Sequence, residues 1–423
     1  MKFVHAADLH IDSPLRGLER YQGAPVELIR GATRRALEHL VDLCLEEGAK
    51  LLVLAGDLYD GDWRDYSTGL FFCGQMARLR EAEVEVVWIR GNHDAASRLT
   101  QHLHPTDNVR ELSHTRAVTL EREIAGVPVA IHGQGYSKPK VTEDLADTYP
   151  APVPGALNLG LLHTALDGRE GHDAYAPCRV EALLNKGYDY WALGHVHQRE
   201  EVRREPCWIV FPGNLQGRHA RETGRKGASL VTVQSGRIAA VEHRVLDEVR
   251  WVHLVFDAGA AASADDVVDG VRDRLLSEIK DADGRLVAAR VSVVGASRAH
   301  AALSVDTERF QNELRAAALD VGRDAAWIEK VVLSTRPEGD PVLLRARNDP
   351  LGGLLRALDK LRRDEGELSA LCEELGELKR KLPRELLDGP DGARIGDAAG
   401  VRALLDDVES LLLPLLSEEA SEP

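Results

Sequence analysis

The segment Leu51-Leu52-Val53-Leu54-Ala55-Gly56-Asp57 places four large apolar residues before two small residues and an aspartate. A short apolar run closed by glycine is typical of a buried β-strand. Four more apolar runs precede polar motifs in the same way, at Phe3-Val4, Val86 to Ile89, Leu159 to Leu162 and Trp191 to Leu193. The pattern predicts five strands, each followed by polar residues.

Helical spacing separates these strands, as in Ile29 to Leu45, where Leu37, Leu40 and Val41 recur on one face. Alternating strands and helices predict an α/β core, in which ligands bind outside the carboxyl ends of the strands. We therefore expect all five polar motifs to gather at one edge of a sheet.

The motifs contain seven potential metal ligands: Asp8, His10, Asp57, Asn92, His163, His195 and His197. Two divalent cations about 3.5–4 Å apart can bind the attacking and leaving oxygens of a phosphate displacement when one ligand bridges them. Asp57 is the natural bridge because a carboxylate offers two oxygens. Imidazole and carboxylate ligands without a thiolate favour Mn²⁺, with Fe or Zn as alternatives, over Mg²⁺, which prefers oxygen ligands.

Structural roles compete with these assignments. A lone histidine after a strand is more often structural than a ligand, so the assignment of His163 rests on the other four motifs. His5 and His132 lie in apolar runs, and we expect them to be hydrogen-bonded core residues. Asp94 is either a carboxylate that supports the catalytic site or a helix cap, and the sequence leaves both open.

The joint set DLH (8–10), GDLYD (56–60), GNHD (91–94), His163 and GHVH (194–197) resembles the calcineurin-like metallophosphoesterase superfamily. Within it, KFVHAADLHIDSPL (2–15) and FPGNLQGRHARETGRKG (211–227) resemble the nuclease subunits of SbcCD-type DNA double-strand-break repair complexes, particularly the YhaO-type branch. The resemblance implies an α/β fold of the calcineurin-like type, a sandwich of two β-sheets flanked by helices.

The resemblance also implies a role for each motif residue. One metal would be held by Asp8, His10, Asp57 and His197, and the second by Asp57, Asn92, His163 and His195. His93 would protonate the leaving oxygen, a contribution usually worth about 10²–10⁴-fold in rate. Asp60 fits the family's orienting carboxylate better than the adjacent Asp94.

Composition limits the class of protein. A chain of 423 residues with 44% hydrophobic content can form two or three domains. Its five cysteines include no Cys-x-x-Cys pair, which indicates reduced thiols rather than a zinc site or a disulfide framework. No apolar stretch reaches signal-peptide or membrane-spanning length. We therefore predict a cytoplasmic protein with no membrane segment. No P-loop motif occurs, so any ATP control of cleavage would come from another subunit.

Net charge is −16, which opposes long-range attraction of nucleic acid. Residues 1–250 hold 30 Lys and Arg against 35 Asp and Glu, so the predicted catalytic part is nearly neutral. A basic loop, which we define as Arg218, His219, Arg221, Arg225 and Lys226, is interleaved with glycines. Such a loop can contact a DNA backbone, and a solvated loop is the alternative.

The second part of the chain lacks these motifs. After a catalytic domain at 1–250, two helical stretches alternate with strands over 251–335 and predict a small α+β domain, which the resemblance implies is a capping domain. Residues 341–423 predict a helical partner-binding region. There, leucines that recur every seven residues from Leu354 to Leu382 predict one helix. The leucine-rich stretch Val401 to Leu416 predicts a second helix, and the composition of 417–423 predicts an acidic, disordered tail. The leucines either pack on the chain itself or dock on the coiled coil of the SMC-like ATPase subunit that the resemblance implies.

The ligand set predicts two-metal phosphodiester hydrolysis, and the resemblance implies that the protein is a Mn²⁺-dependent DNA nuclease that acts in DNA repair. It would be an exonuclease on double-strand ends and an endonuclease on hairpin or single-stranded DNA. A phosphodiesterase acting on nucleotides or cyclic nucleotides through the same metals is the alternative, and the complete ligand set argues against a non-catalytic scaffold. Family members often form homodimers, which this sequence alone does not establish.

Overall fold

The computed structural model describes residues 1–15, 18, 23–60, 66–96, 106–168, 175–322, 325–338, 345–382 and 398–418. The chain forms two compact units, Met1–Val252 with Ala282–Ala288, and His253–Asp281 with Ala289–Pro423. No helix in the described ranges combines the length and the apolar character needed to cross a bilayer.

The first sheet contains strands from both ends of the first unit. Its strands are β1 (Lys2–Ala6), β2 (Leu51–Leu54), β3 (Glu85–Trp88), β4 (Val109–Glu111), β11 (Gly227–Gln234) and β12 (Arg237–Val245). The order is β12-β11-β1-β2-β3-β4. Strands β1 to β4 are parallel, and β11 and β12 are antiparallel to their neighbours. Ala6 pairs with Leu54, and Leu54 with Trp88, so the carboxyl ends of three strands are level.

The second sheet also has six strands: β5 (Val118–Ile124), β6 (Val127–Gly133), β7 (Leu157–His163), β8 (Tyr190–Gly194), β9 (Glu200–Arg203) and β10 (Trp208–Phe211). The order is β5-β6-β7-β8-β10-β9, with β6, β7, β8 and β10 parallel. His163 pairs with Gly194, which makes the ends of β7 and β8 level.

Side-chain alternation along the strands builds the core of the sandwich. In β2, Leu51 and Val53 pack in one cluster with Leu159 and Leu161 of the second sheet, whereas Leu52 and Leu54 face the other way. That opposite face packs against helices α1 (Val26–Glu46) and α2 (Tyr66–Glu81). Helices α3 (Asn92–Ala96) and α4 (Val180–Asn185) also belong to this unit. Two apolar faces explain why the central strands are apolar throughout rather than alternating.

A third sheet has three strands, β13 (Val249–Asp257), β14 (Leu286–Ser297) and β15 (Ala326–Pro337). Among the described residues, the α-helices of this part of the chain are α5 (Ala264–Ala282), α6 (His300–Val305), α7 (Thr307–Asp320), α8 (Pro350–Arg363), α9 (Glu365–Lys381) and α10 (Ala398–Glu418). A small apolar cluster joins α8, α9 and α10 through Leu358, Leu368, Val401 and Leu405.

The fold confirms the α/β class, the two flanked sheets, the α+β element pattern and the helical C-terminal region. The expectation of a single sheet edge is wrong, because β1, β2 and β3 belong to one sheet and β7 and β8 to the other. The division into domains at 1–250, 251–335 and 341–423 stays a prediction, and part of the last range lies outside the described residues.

The leucine repeat forms two helices rather than one. Asp364 ends α8 and caps α9, because its carboxylate accepts hydrogen bonds from the backbone N–H groups of Gly366 and Glu367. The predicted first residue of the acidic tail, 417, is also wrong, because α10 runs to Glu418. Residues 419–423 lie outside the described part of the chain.

Candidate metal centre

The predicted ligands follow the carboxyl ends of five strands, and several have left-handed backbone. The φ angle is +52° at Asp8, +43° at His10, +55° at Asp57 and +100° at His195. Positive φ costs a non-glycine residue free energy of order 1–3 kcal/mol, and such residues cluster at functional sites. Aspartate and histidine are among the side chains that tolerate this region best. The backbone therefore turns sharply after β1, β2 and β8, where the motifs lie.

Asp8, His10 and His197 form the first ligand group, with ligand atoms within 4.8 Å of one another. The Nε2 atoms of His10 and His197 are 3.3 Å apart. Asp57 is close by, since its Oδ2 lies 3.9 Å from Nε2 of His10. Burial, assisted by the positive charge of Arg218, lowers the pKa of His10 to about 3. The ring of His10 is therefore neutral at pH 7, as a metal ligand must be.

Asp8, Asp57 and His163 form the second group, also within 4.8 Å. Nε2 of His163 lies 3.5 Å from Oδ2 of Asp57 and 3.0 Å from Oδ1 of Asn92. Burial alone would lower the pKa of His163, but the Asp57 carboxylate outweighs it and raises that pKa to about 9. In the metal-free chain a proton therefore occupies the position that faces this carboxylate. Asp57 approaches histidines of both groups, as expected of a bridging ligand.

The ring of His195 completes the second group less directly. Its centroid lies 5.2 Å from that of His163. The backbone N–H of His195 donates to both oxygens of Asp8, at 3.0 and 3.1 Å. The structure thus brings all seven predicted ligands together; five are buried, and Asn92 and His197 are half-buried.

Two glycines allow this close packing. A Cβ atom on Gly56, where φ is +95°, would lie 2.5 Å from Nδ1 of His163. A Cβ atom on Gly91 would clash with Oδ1 of Asp57. The glycines of GD and GN are therefore required by the approach of β2 and β3 to the ligand cluster.

The donor set fits divalent cations. Nδ1 of His163 faces the carbonyl oxygen of Ala55 at 2.8 Å, and Nδ1 of His197 faces Oε1 of Glu222 at 2.7 Å. When the Nδ1–H of a ring donates to such an acceptor, Nε2 is the nitrogen left for a cation, which in His163 would replace the Nε2 proton. Both Nε2 atoms point into the cluster, where carboxylates supply the charge that a divalent ion requires.

His93 lies at the edge of the cluster and contacts Asp60. Its Nδ1 is 2.8 Å from Oδ1 of Asp60, and its side chain is 38% exposed. Burial would lower the pKa of His93, but the hydrogen bond with Asp60 and nearby carboxylates raise it above its ordinary value. Ser13 donates to the other oxygen of Asp60 at 2.6 Å. A ring that is reachable from solvent and whose pKa is raised suits a general acid.

Asp94, whose role the sequence leaves open, stabilises the backbone of the site. Its carboxylate accepts hydrogen bonds from the N–H groups of Leu58, Tyr59 and Gly91 at 2.9–3.1 Å. Burial and the charge of Asp57 raise the pKa of Asp94 to about 7. It therefore fastens the turn after β2 to the start of α3.

The two histidines expected in the core are there. His5 is fully buried, with Nδ1 2.9 Å from the Tyr190 hydroxyl and Nε2 3.1 Å from the carbonyl oxygen of Leu193. The ring nitrogens of His132 contact Thr119 and Asn158 at 2.8 and 3.0 Å. Their structural role is confirmed.

The basic loop divides into inward and outward residues. His219, Arg221 and Arg225 are exposed. Arg218 is 13% exposed and pairs with Glu222 at 2.9 Å, and Nζ of Lys226 donates to the carbonyl oxygen of His197 at 2.8 Å. Lys226 is only 3% exposed, so the expectation that it contacts DNA is wrong.

Glu222 is the residue that sequence reasoning missed. It lies among basic residues four positions after Arg218, and its carboxylate contacts His197 from outside the ligand cluster. A single glutamate in a basic loop is an ambiguous sequence signal, since a surface ion pair gives the same pattern.

A sandwich of two sheets whose strand ends converge on paired imidazoles and carboxylates defines a metallophosphoesterase. A family model described as calcineurin-like phosphoesterase matches residues 1–199, and one described as the middle domain of metallophosphoesterase YhaO matches residues 251–336. The chain belongs to the calcineurin-like metallophosphoesterase family, within its YhaO branch. It is accordingly a phosphoester hydrolase with a site for two divalent metals.

Among its relatives is the uncharacterized metallophosphoesterase YhaO of Bacillus subtilis, 35% identical over 276 residues, which are 64% of this chain and 67% of that protein. The DNA double-strand break repair protein Mre11 of Methanopyrus kandleri is 28% identical over 281 residues, covering 59% of this chain and 57% of that one. The solved structure of a dimetal phosphatase from Danio rerio has 13% identity and a TM-score of 0.36, covering 58% of this chain and 97% of that one.

Proposed function

We propose that the protein is a DNA nuclease that hydrolyses phosphodiester bonds with two divalent ions, of which Mn²⁺ fits the mixed imidazole and carboxylate ligands best. It would degrade double-strand ends as an exonuclease and cut hairpin or single-stranded DNA as an endonuclease, in DNA repair in the cytoplasm. The observation that carries the proposal is the His93–Asp60 pair beside the ligand cluster, because it adds an acid to the metal ligands.

Asp8, His10, Asp57 and His197 would hold one ion, and Asp57, Asn92, His163 and His195 the other. Two bound ions supply charge for the attacking and leaving oxygens and lower the pKa of water. Their charge also offsets the negative net charge of the chain near the scissile phosphate.

His93 would donate a proton to the leaving oxygen. Nδ1 of His93 is hydrogen-bonded to Asp60, so Nε2 is the nitrogen whose proton would be given to the substrate. The carboxylate both orients the ring and raises its pKa, which favours the protonated form that a general acid needs.

The nuclease assignment is favoured over a small-nucleotide phosphodiesterase by the similarity to a DNA repair protein and by the match to a YhaO middle domain. His219, Arg221 and Arg225 are the exposed cations that would contact the DNA backbone. Arg218 is closer to the ligand cluster, with Nη1 3.7 Å from Asp60.

A partner would bind the C-terminal helices. Leu378 of α9 is 46% exposed and Val408 of α10 is 38% exposed, although other leucines of these helices pack on each other. The coiled coil of an SMC-like ATPase subunit offers apolar residues that would cover this face. A homodimer is a second assembly to be measured by light scattering.

The test is incubation of the purified chain with labelled linear duplex, hairpin DNA, single-stranded DNA and a panel of nucleotides. Mn²⁺, Mg²⁺, Zn²⁺ and Fe²⁺ are compared in parallel, and Asp57→Asn serves as the inactive control. We expect cleavage of DNA, strongest with Mn²⁺ and absent in the variant. Cleavage of nucleotides alone would replace the substrate assignment, and no metal-dependent cleavage at all would remove the function.

A further inference from the structure

Glu222 lies outside the ligand cluster but contacts it through one histidine. Oε1 of Glu222 is 2.7 Å from Nδ1 of His197, and the glutamate is 7% exposed. Its other oxygen, Oε2, accepts hydrogen bonds from Nδ2 of Asn214 at 3.0 Å and from the backbone N–H of Arg218 at 2.7 Å. A buried carboxylate with this many donors has a fixed position.

The contact determines which nitrogen of His197 can bind a cation. A carboxylate that accepts from Nδ1–H leaves the lone pair on Nε2, and Nε2 is the atom 3.3 Å from Nε2 of His10. Without the acceptor, the ring can turn about its side-chain bonds or carry its proton on Nε2 instead. Either change removes a donor from the first ligand group.

Arg218 balances the charge of Glu222. Its Nη2 lies 2.9 Å from Oε1 and its Nε 3.4 Å from Oε2, and Nη1 lies 3.7 Å from Oδ2 of Asp60. One guanidinium thus contacts the carboxylate that orients His197 and the carboxylate that orients His93. An isolated buried carboxylate would be costly, so this pairing is what allows Glu222 to stay ionised there.

Lys226 supports the same residue from the backbone side, since its Nζ donates to the carbonyl oxygen of His197. The basic loop, which the sequence predicts to contact DNA, therefore directs the side chains of Arg218, Glu222 and Lys226 toward His197.

We propose that Glu222 is a positioning residue that fixes the ring of His197 for cation binding, and that Arg218 holds the Glu222 carboxylate in place. This inference rests on the two-metal site of the proposed function. It predicts that Glu222 matters for the affinity of one ion even when no substrate is present.

The test is titration of the metal-free full-length chain with Mn²⁺, with free Mn²⁺ followed by electron paramagnetic resonance. We expect Glu222→Ala to lower the affinity for one of the two Mn²⁺ ions about 10–100-fold and to leave the affinity for the other unchanged. Glu222→Gln should lose less Mn²⁺ affinity, because its amide oxygen can still accept a hydrogen bond from Nδ1–H of His197. His197→Ala reports which ion is affected, because it removes the ligand itself.

Glu329→Ala is the matched control for loss of a buried ion pair. Glu329 is 6% exposed and pairs with Arg290 at 2.8 and 2.9 Å in the three-stranded sheet. We expect it to bind both ions as the wild type does. Circular dichroism identifies any variant that does not fold. If Glu222→Ala does not fold, the Mn²⁺ affinity of Glu222→Gln decides the test.

Two results would overturn the inference: the first would leave the proposed function intact, and the second would overturn both. If both Glu222 variants bind two ions with wild-type affinity while His197→Ala loses one, Glu222 has no positioning role and the proposed function stands. If the wild type itself binds no Mn²⁺ or other divalent ion, the inference and the two-metal function fall together.

Discussion

Nδ1 of His93 lies 2.8 Å from Oδ1 of Asp60, and the same oxygen lies 3.7 Å from Nδ1 of His10. One carboxylate therefore stands between the candidate acid and a candidate metal ligand. Because Asp60 contacts both rings, changes at His93 and at Asp60 should have separable effects on proton donation and on metal binding.

His93→Ala should retain both ions and cut slowly. His93 contributes no atom to the pairs formed by Asp57 with His10 and His163, so removal of its ring leaves those donors in place. We expect the single-turnover rate to fall about 10²–10⁴-fold, the usual value of a general acid. Metal analysis of the same sample should still give two ions per chain. Full activity would remove His93 from this role.

Asp60→Asn should move the alkaline limb of the pH–rate profile to lower pH. The active form of His93 is protonated, and the Asp60 carboxylate raises its pKa against the effect of burial. An amide removes that charge, so the proton is lost at a lower pH. Ser13→Ala is the control, because it removes a hydrogen bond to Asp60 but keeps the carboxylate. Identical limbs for wild type and Asp60→Asn would contradict the assignment.

Asp57→Asn should abolish metal-dependent cleavage. The Oδ2 atom of Asp57 is within 4 Å of Nε2 in both His10 and His163, so this carboxylate serves both ligand groups. A neutral amide is a poor bridge between two cations. Equilibrium dialysis with Mn²⁺ should show fewer than two ions bound per chain, and two tightly bound ions would exclude the bridging role.

Gly91→Ala should disturb the metal site although it adds only one methyl group. That methyl group would clash with Oδ1 of Asp57, whose position is set by β2. Mn²⁺ affinity and cleavage should both fall. Gly74→Ala, in α2, is the control because nothing lies within 4 Å of the added Cβ, and alanine favours a helix over glycine by about 1 kcal/mol. Wild-type Mn²⁺ affinity in Gly91→Ala would show that the site accommodates the group.

The strand ends could be predicted from sequence because an apolar run followed by a ligand motif is a local signal. The placement of Asp60 beside His93 came from the family resemblance, and the geometry agrees with it. Local signals did not show that β7 belongs to a second sheet, because sheet membership depends on pairing between distant strands. The orientation of Lys226 was equally hidden, since burial of a loop lysine depends on long-range packing. The leucine spacing likewise did not reveal that Asp364 caps a second helix, because that spacing continues across the break.

His5 should make the metal-free protein less stable in mild acid. Burial lowers its pKa from 6.5 to about 3, so below pH 6.5 the unfolded chain binds a proton that the folded chain does not. Its contribution to the free energy of unfolding is therefore complete above pH 6.5 and falls by about 1.4 kcal/mol per pH unit below that value. His5→Asn lacks this proton, so the difference in stability between wild type and variant should shrink between pH 7.5 and 5.0. Urea unfolding in the presence of a chelator measures it, and a constant difference over this range would show that His5 is not held neutral by burial.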